Sequence, residues 1–291
     1  MRIAYLILCH KHPDQVRRLV EELDDDGVNF VIHVDKRSAG LRPQLEQMLS
    51  GRKNVSFARQ LPCYWGRFSI VEATLSAMKL ALEQPFDYAV LLSGQDYPVK
   101  SRRTIRQFFA DRRGREFIES FSLLQPNRWS GNAGVFKPER RAFSFVLGFR
   151  SRLWSTGWQR RFPLDHVPYG GAQWWALTRE AIDYIVEFVA AQPAYARYFR
   201  FAMAPDEMFF QSILSNSPFR ERIADRVTYD CWHHPDPPYP KILTDEDFSA
   251  LREPAWLFAR KFDPTRSEGL RSLLRDSESD LVPSAPTARA A

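Results

Sequence analysis

The first hundred residues alternate between short, almost wholly apolar segments and segments in which apolar residues recur every three or four positions. The first pattern is typical of strands buried on both faces, and the second is typical of helices that bury one face. The predicted strands cover residues 3–9, 29–34, 55–58 and 87–92. The helices between them are predicted to begin at Pro13, Leu41 and Ser69. This alternation predicts an α/β fold with a mostly parallel central sheet flanked by helices.

Polar residues directly follow the predicted strands. His10 follows the first strand, Asp35 the second, and Asp96 lies just beyond the fourth. Ligands of parallel sheets bind beyond the carboxyl ends of the strands, so these residues are the first candidates for a site. The sequence contains neither a Walker loop nor a dinucleotide-binding glycine motif, and its His and Cys spacing matches no zinc motif. The pattern therefore locates a site without identifying its ligand.

Length and composition narrow the class of protein. The chain has 291 residues, of which 44% are hydrophobic and 26% charged, so a disordered, collagen-like or disulfide-dense protein is excluded. Three dispersed cysteines cannot form a disulfide framework. The apolar run at residues 3–9 is too short for a signal peptide, and no segment approaches the roughly 20 apolar residues of a membrane span. We expect a cytoplasmic protein, either soluble or peripheral at the inner face of the membrane.

The formal net charge of +6 is concentrated in one segment. Residues 128–161 hold eight basic residues and one acid, interleaved with Phe and Trp, and the rest of the chain is close to neutral. Nucleic-acid binding is one interpretation, but we expect no nucleic-acid partner. A second interpretation is peripheral contact with an anionic membrane, and a third is a solvated arm whose aromatic side chains pack on the core.

Two charged pairs have both structural and chemical interpretations. Asp206-Glu207 follows Pro205 and precedes an apolar stretch, so it either caps a helix predicted over residues 207–215 or contains a partly desolvated carboxylate that acts as a general base. Arg260-Lys261 is either a surface pair at a strand end or a cationic clamp on a diphosphate leaving group.

Six short motifs occur in a fixed order along the chain. They are Ile32-His33-Val34-Asp35-Lys36, Cys63-Tyr64-Trp65-Gly66, Leu91-Leu92-Ser93-Gly94-Gln95-Asp96-Tyr97-Pro98, Gly171-Ala172-Gln173-Trp174-Trp175-Ala176-Leu177, Pro205-Asp206-Glu207 and Leu257-Phe258-Ala259-Arg260-Lys261-Phe262-Asp263. Together they resemble the core-2/I-branching β-1,6-N-acetylglucosaminyltransferase family, which also holds the peptide O-xylosyltransferases. The resemblance runs from about residue 3 to residue 263, and this chain looks like a bacterial-type member.

The resemblance implies a single GT-A-like domain, here residues 1–265, with a nucleotide-sugar site at the carboxyl ends of the strands. It implies an inverting transfer of a sugar from a UDP-sugar, with no cofactor and no divalent metal. Residues 122–168 match the family poorly, so we expect an insertion that faces the acceptor or a membrane. Residues 277–291 are small, polar and rich in Pro and Ala, which predicts a disordered tail.

The resemblance also implies roles for individual residues. Glu207 falls on the family's general base, Lys261 on its phosphate-binding lysine and Asp35 on its uridine contact. A second phosphate-binding cation is expected, with Lys241 as the candidate and Arg260 as the fallback. Further donor-side candidates are His10 and Asp96, and the acceptor-side candidates are Asp206, Gln173, Trp174 and Trp232.

The substrates remain open at this point. GlcNAc and xylose are the leading donor sugars, and the acceptor is a glycan or a lipid-linked glycan, as in the synthesis of cell-envelope or extracellular polysaccharide. Two alternatives are a metal-dependent GT-A transferase that uses Asp96 as a ligand and a non-catalytic relative that only binds a sugar nucleotide. The presence of both Glu207 and Lys261 argues against the second, because a protein that only binds has no use for a base.

Overall fold

The computed structural model describes residues 1–132, 136–150, 152–232 and 239–279. The strands are β1 Ile3–Cys9, β2 Val28–Val34, β3 Val55–Phe57, β4 Tyr88–Ser93, β5 Asp96–Pro98, β6 Glu116–Ile118, β7 Phe121–Ser122, β8 Ser144–Phe149, β9 Arg152–Gln159, β10 Tyr169–Gly170, β11 Trp175–Thr178, β12 Ile223–Ala224, β13 Thr228–Asp230 and β14 Phe258–Arg260. The helices are α1 Pro13–Leu23, α2 Leu41–Met48, α3 Ser69–Ala81, α4 Arg102–Asp111, α5 Pro138–Phe143, α6 Arg179–Ala191, α7 Pro193–Phe199, α8 Phe209–Ser215, α9 Phe248–Leu251 and α10 Glu268–Ser279.

The central sheet has seven strands in the order β12-β6-β11-β4-β1-β2-β3. Every neighbouring pair is parallel except those of β11, which runs antiparallel to both β4 and β6. Strand β1 pairs with β2 and β4, and six of its seven residues are fully buried, which explains why its sequence is a continuous apolar run. The predicted α/β fold with a mostly parallel, helix-flanked sheet is confirmed.

The two faces of this sheet pack against different helices. Leu6 of β1 belongs to a core cluster with residues of α3, α6 and α8, whereas Ile7 belongs to a second cluster with residues of α1, α2 and α4. Successive side chains of a strand point to opposite faces, so an all-apolar strand can serve both layers at once. The carboxyl ends of β1, β2 and β4 are thereby held rigidly between two helical layers.

A second, three-stranded sheet, β13-β14-β5, lies beyond the carboxyl end of β4. Asp96 in β5 is paired in register with Arg260 in β14. Leu270 and Leu274 of α10 are buried against this sheet, and Glu268 pairs with Arg18 of α1 at 2.6 Å. The packed domain therefore extends past residue 265, where we expected it to end. Helix α10 also takes in residues 277–279 of the expected disordered tail, and residues 280–291 lie outside the described part of the chain.

The predicted insertion at residues 122–168 contains α5 and the antiparallel hairpin β8–β9. Its aromatic residues are divided between two environments. Trp129 and Phe162 are buried in the main core, whereas Phe149, Trp154 and Trp158 are exposed. The interpretation as an arm whose aromatics pack on the core is thus correct for some of these side chains and wrong for others. Within the described residues, no helix is long and apolar enough to cross a membrane.

Candidate active site

Glu207 lies at the end of a short 3-10 turn, Pro205–Glu207. We predicted one helix over residues 207–215, but the chain breaks at Met208 (φ −138°), and α8 begins at Phe209. Two main-chain hydrogen bonds hold the turn from outside. The Ala204 amide donates to the Gly66 carbonyl at 3.2 Å, and the Gly171 amide donates to the Glu207 carbonyl at 3.0 Å. The turn is therefore tied to two of the six sequence motifs.

The carboxylate of Glu207 forms an ion pair with Arg141 of α5. The Arg141 side chain is 8% exposed and its guanidinium lies 4.1 Å from the centre of the Trp129 ring, whereas the Glu207 side chain is 25% exposed. Sequence reasoning did not single out Arg141. The pair fixes the orientation of the Glu207 carboxylate and leaves it open to solvent on one side, as a general base needs to be.

Trp65 and Phe136 form an exposed aromatic pair beside this carboxylate. Their ring centroids lie 6.4 Å apart, and Phe136 lies 5.7 Å from the guanidinium carbon of Arg141. The sequence marked Trp65 only as part of a motif and Phe136 only as part of the basic segment. Together they give the Glu207 side of the site two aromatic surfaces on which an apolar face of a ligand can stack.

Asp206 differs sharply from its neighbour. It is buried, and its Oδ1 atom has no hydrogen-bond partner among the described residues. Burial, together with the adjacent charge of Glu207, raises the pKa of Asp206 to about 7, against the opposing charge of Arg141. The two neighbouring carboxyl groups thus have different environments, and only Glu207 is presented to the solvent. Asp206 therefore fits a positioning role better than the direct acceptor contact that we expected.

Replacing Asp206 with Asn should make stability less dependent on pH. The folded chain keeps the Asp206 proton up to a pH of about 7, whereas the unfolded chain loses it near pH 4. The free energy of unfolding therefore falls as pH rises between these two values. The stability of Asp206→Asn relative to the unsubstituted chain should therefore be greater at pH 8 than at pH 5 by roughly 2–3 kcal/mol. Urea unfolding at both pH values measures this, with Asp276→Asn on α10 as the exposed control. An equal difference at both pH values would contradict the assignment.

Asp35 directly follows the last residue of β2. Its Oδ1 accepts hydrogen bonds from the amides of Arg37 at 2.8 Å and Cys63 at 3.2 Å, and its Oδ2 lies 4.0 Å from the Arg37 guanidinium. The neighbouring His33 side chain is buried and accepts a hydrogen bond from the Leu61 amide, so it is structural. Burial raises the pKa of the Cys63 thiol to about 12, with further contributions from Asp35 and Asp206. The charges of Asp35 and Asp206 therefore both act on the Cys63 thiol.

Asp96 and Arg260 form a buried pair at the end of β4. The Asp96 carboxylate accepts hydrogen bonds from the Ser93 amide at 2.8 Å, the Ser93 hydroxyl at 2.5 Å and Arg260 Nε at 3.1 Å. Burial raises the pKa of Asp96, and Arg260 opposes that rise. The Arg260 guanidinium lies 4.2 Å from the centre of the buried Trp174 ring. Arg260 is therefore buried, and the interpretation of Arg260-Lys261 as a surface pair is wrong for this residue. The Trp174 ring packs against its guanidinium.

Lys261 lies beside this pair and is partly buried. Burial, together with the charges of Arg260 and Lys11, lowers the pKa of its ammonium to about 8. Lys261 in turn contributes to the lowered pKa of His10, after desolvation and the charge of Lys11. The charges of Arg260 and Lys11 thus act on Lys261, and those of Lys11 and Lys261 act on His10. Like charges brought together in a partly desolvated place create a strong attraction for an anion.

The remaining predicted site residues have varied positions. The main-chain carbonyl of Lys241 accepts a hydrogen bond from the Lys261 amide, but the Lys241 ammonium pairs with Asp247 at 2.8 Å, which raises the pKa of Lys241. Of the two candidates for the second phosphate cation, Arg260 is thus the better placed.

Two predicted acceptor-side residues are partly accessible. Trp232 is 43% exposed, and its indole donates to Asp230 at 3.1 Å. Gln173 is half-buried in the segment that joins Gly171 to Trp174.

The described residues contain no group of three His, Cys, Asp or Glu side chains arranged to hold a metal ion. Asp96, the ligand of the metal-dependent alternative, is fully buried, and its oxygens already accept three hydrogen bonds. A cation bound there would have to displace Arg260. The donor set at the end of β4 is therefore built around a guanidinium.

Comparison with known proteins decides the family. A family model described as Core-2/I-Branching enzyme matches residues 3–252. The chain belongs to this family. The site assembled above lies almost entirely within the matched residues, with Arg260 and Lys261 just beyond them.

Individual relatives of this Core-2/I-Branching enzyme include two xylosyltransferases of Rattus norvegicus. Xylosyltransferase 2 is 28% identical over 94% of this chain, and xylosyltransferase 1 is 26% identical over 77%. The chain spans 33% of the length of xylosyltransferase 2 and 27% of that of xylosyltransferase 1. Among solved structures, a mannosyltransferase from Pyrobaculum calidifontis in complex with GDP-Man and Mn2+ shows 10% identity and a TM-score of 0.34 over 62% of this chain and 46% of its own, which is too slight to support an argument.

Proposed function

We propose that the protein is an inverting, metal-independent glycosyltransferase that moves a sugar, GlcNAc or xylose, from a UDP-sugar to a hydroxyl group of a glycan. The observation that carries this proposal is that residues 171–174 contact two unlike sites, since Gly171 bonds to Glu207 and the Trp174 ring lies against Arg260. One is a cluster of cations formed by Arg260, Lys261 and Lys11, and the other is the solvent-open carboxylate of Glu207. The matched xylosyltransferases support xylose as a donor sugar.

The donor is proposed to lie across the ends of the strands. Asp35 and His10 would contact the nucleoside, and Arg260 and Lys261 would bind the diphosphate. Arg260 is held by Asp96 and Trp174, so its guanidinium needs no reorganisation when the diphosphate arrives. Lys241 can add a further cation only if its pair with Asp247 opens.

The transfer step is proposed to be a single displacement. Glu207 accepts the proton of the acceptor hydroxyl while that oxygen bonds to the anomeric carbon, and the bond from that carbon to the diphosphate oxygen breaks on the opposite face. The departing diphosphate gains negative charge, so the Arg260–Lys261 pair stabilises the transition state more than the ground state. On the acceptor side, Trp65, Phe136, Gln173 and Trp232 are the side chains that we expect to contact the glycan.

A donor screen in the presence and absence of EDTA tests the proposal. We expect UDP release from UDP-GlcNAc or UDP-xylose, with the same rate after metal removal, because Arg260 and Lys261 take the place of a divalent ion at the diphosphate. UDP release that EDTA abolishes and Mn²⁺ restores would support the metal-dependent alternative. Tight UDP binding with no turnover of any UDP-sugar, with a panel of glycan acceptors present, would support the non-catalytic alternative.

A further inference from the structure

The hairpin β8–β9 is an amphipathic ribbon. On its inner face, Val146 is buried in a cluster with Met203 and Ala204, and Leu153 packs against that cluster. Gly148 lies so close to Arg67 that a Cβ atom there would come within 2.2 Å of the Arg67 guanidinium. The inner face is thus docked on the segment that leads into the Pro205–Glu207 turn, and the ribbon cannot be a loosely attached arm.

The outer face of the ribbon is apolar and uncovered. Leu147 pairs with Trp154 across the ladder, and Phe149 pairs with Arg152, so these side chains share one face. Leu147 is 46% exposed, Trp154 51% and Phe149 67%, and Trp158 near the end of β9 is 75% exposed. Large apolar side chains grouped in this way on a surface mark a contact site far more often than scattered ones do.

The positive charge of the ribbon indicates an anionic partner. Residues 140–164 contain no acidic residue. Arg150 and Arg152 flank the turn and are exposed, and Arg140 of α5 is exposed as well. None of these three forms an ion pair with another described residue, whereas the exposed Arg161 is paired with Asp165. Exposed Trp and Phe beside unpaired Arg is the composition of a segment that lies in the headgroup layer of an anionic bilayer.

We propose that the outer face of β8–β9 is a docking surface for an anionic phospholipid bilayer. Phe149, Trp154 and Leu147 enter the interface, and Arg150 and Arg152 contact lipid phosphates. The ribbon's inner face touches Met203 and Ala204, which immediately precede the turn of Glu207, so docking brings the acceptor side of the site to the membrane. The surface stands independently of the proposed reaction. Where that reaction holds, it favours a lipid-linked glycan as the acceptor.

Vesicle co-sedimentation tests the docking surface. The full chain should sediment with vesicles of phosphatidylcholine and phosphatidylglycerol and at least tenfold less with phosphatidylcholine alone, since each basic residue near an anionic surface favours binding. Phe149→Thr combined with Trp154→Thr should reduce binding to the anionic vesicles about tenfold or more, because threonine keeps the strand but removes the apolar contact. Arg150→Gln combined with Arg152→Gln should remove most of the preference for anionic vesicles.

Matched controls separate docking from unfolding. Met48→Thr on α2 and Arg103→Gln on α4 alter exposed side chains of the same kinds elsewhere and should leave sedimentation unchanged. All variants should keep the thermal midpoint and UDP affinity of the unsubstituted chain. No sedimentation of that chain with anionic vesicles would overturn the proposal, as would unchanged binding in the Phe149/Trp154 variant. If the unsubstituted chain self-associates without binding vesicles, and the Phe149/Trp154 variant abolishes this self-association, the surface belongs to a second copy. If it instead binds an oligonucleotide without binding vesicles, and the variant abolishes that binding, the surface belongs to nucleic acid.

Discussion

Glu207→Gln should lower kcat by roughly 10²–10⁴-fold while leaving UDP affinity nearly unchanged. The amide keeps the size of the side chain and can still accept a hydrogen bond from Arg141, but it cannot take the proton of the acceptor hydroxyl. Because Glu207 lies in the turn beside Gly171 and not among the cations that we assign to the diphosphate, donor binding has no reason to fall. Steady-state kinetics and calorimetry with UDP measure the two quantities separately.

The control for this substitution is Glu187→Gln on α6, an exposed glutamate away from the site. It should change neither quantity. A Glu207→Gln enzyme that turns over at a near-normal rate would remove Glu207 from the role of base. A parallel loss of UDP affinity would instead indicate that the substitution disturbs the donor end of the site.

Lys261→Met should lower kcat/KM for the donor by about 10²–10³-fold, the usual cost of removing one group that stabilises developing negative charge. UDP binding to the unsubstituted protein should also weaken above pH 8, where the free Lys261 ammonium loses its proton. Below that pH the lysine is charged and binds the diphosphate. Above it, binding requires proton uptake, so Kd rises by up to about tenfold per pH unit.

A calorimetric titration with UDP between pH 7 and pH 9.5 checks this dependence. The terminal phosphate of UDP completes its ionisation at a pKa of about 6, so it does not contribute to a change above pH 8. Lys261→Arg stays charged throughout this range and should give a flat profile, and Lys79→Ala on α3 should behave like the unsubstituted chain. A profile that keeps its slope in Lys261→Arg would assign the titration to another group.

The sequence correctly predicted the strands in which nearly every residue is buried. Strands β1, β2 and β4 are buried on both faces, so each shows an uninterrupted apolar run, and the candidate residues beyond them follow from the parallel geometry. The positions of Asp35 and Asp96 beyond the ends of these strands could be predicted for the same reason. Local sequence and tertiary environment agree there.

Prediction failed where distant segments determine local structure. The apolar run after Glu207 has helical composition, yet the turn is set by hydrogen bonds to Gly66 and Gly171, and the helix starts only at Phe209. Arg141 lies 66 positions from Glu207, and no periodicity connects them. Lys241, which the family resemblance offers as a phosphate ligand, has its ammonium paired with the nearby Asp247, and its contact with phosphate stays a prediction.

The main-chain tethers of the Pro205–Glu207 turn also bear on how such an enzyme diversifies. They come from Gly66 and Gly171, both outside residues 122–168. That segment can therefore change its exposed side chains, or its length at the β8–β9 tip, without altering the hydrogen bonds that place the backbone of Glu207. The backbone of Glu207 is thus positioned by stretches of the gene outside that segment, whereas Arg141, which orients its carboxylate, lies within it. A lineage can therefore vary the exposed side chains of the segment by drift while selection keeps Arg141 and the two tethers.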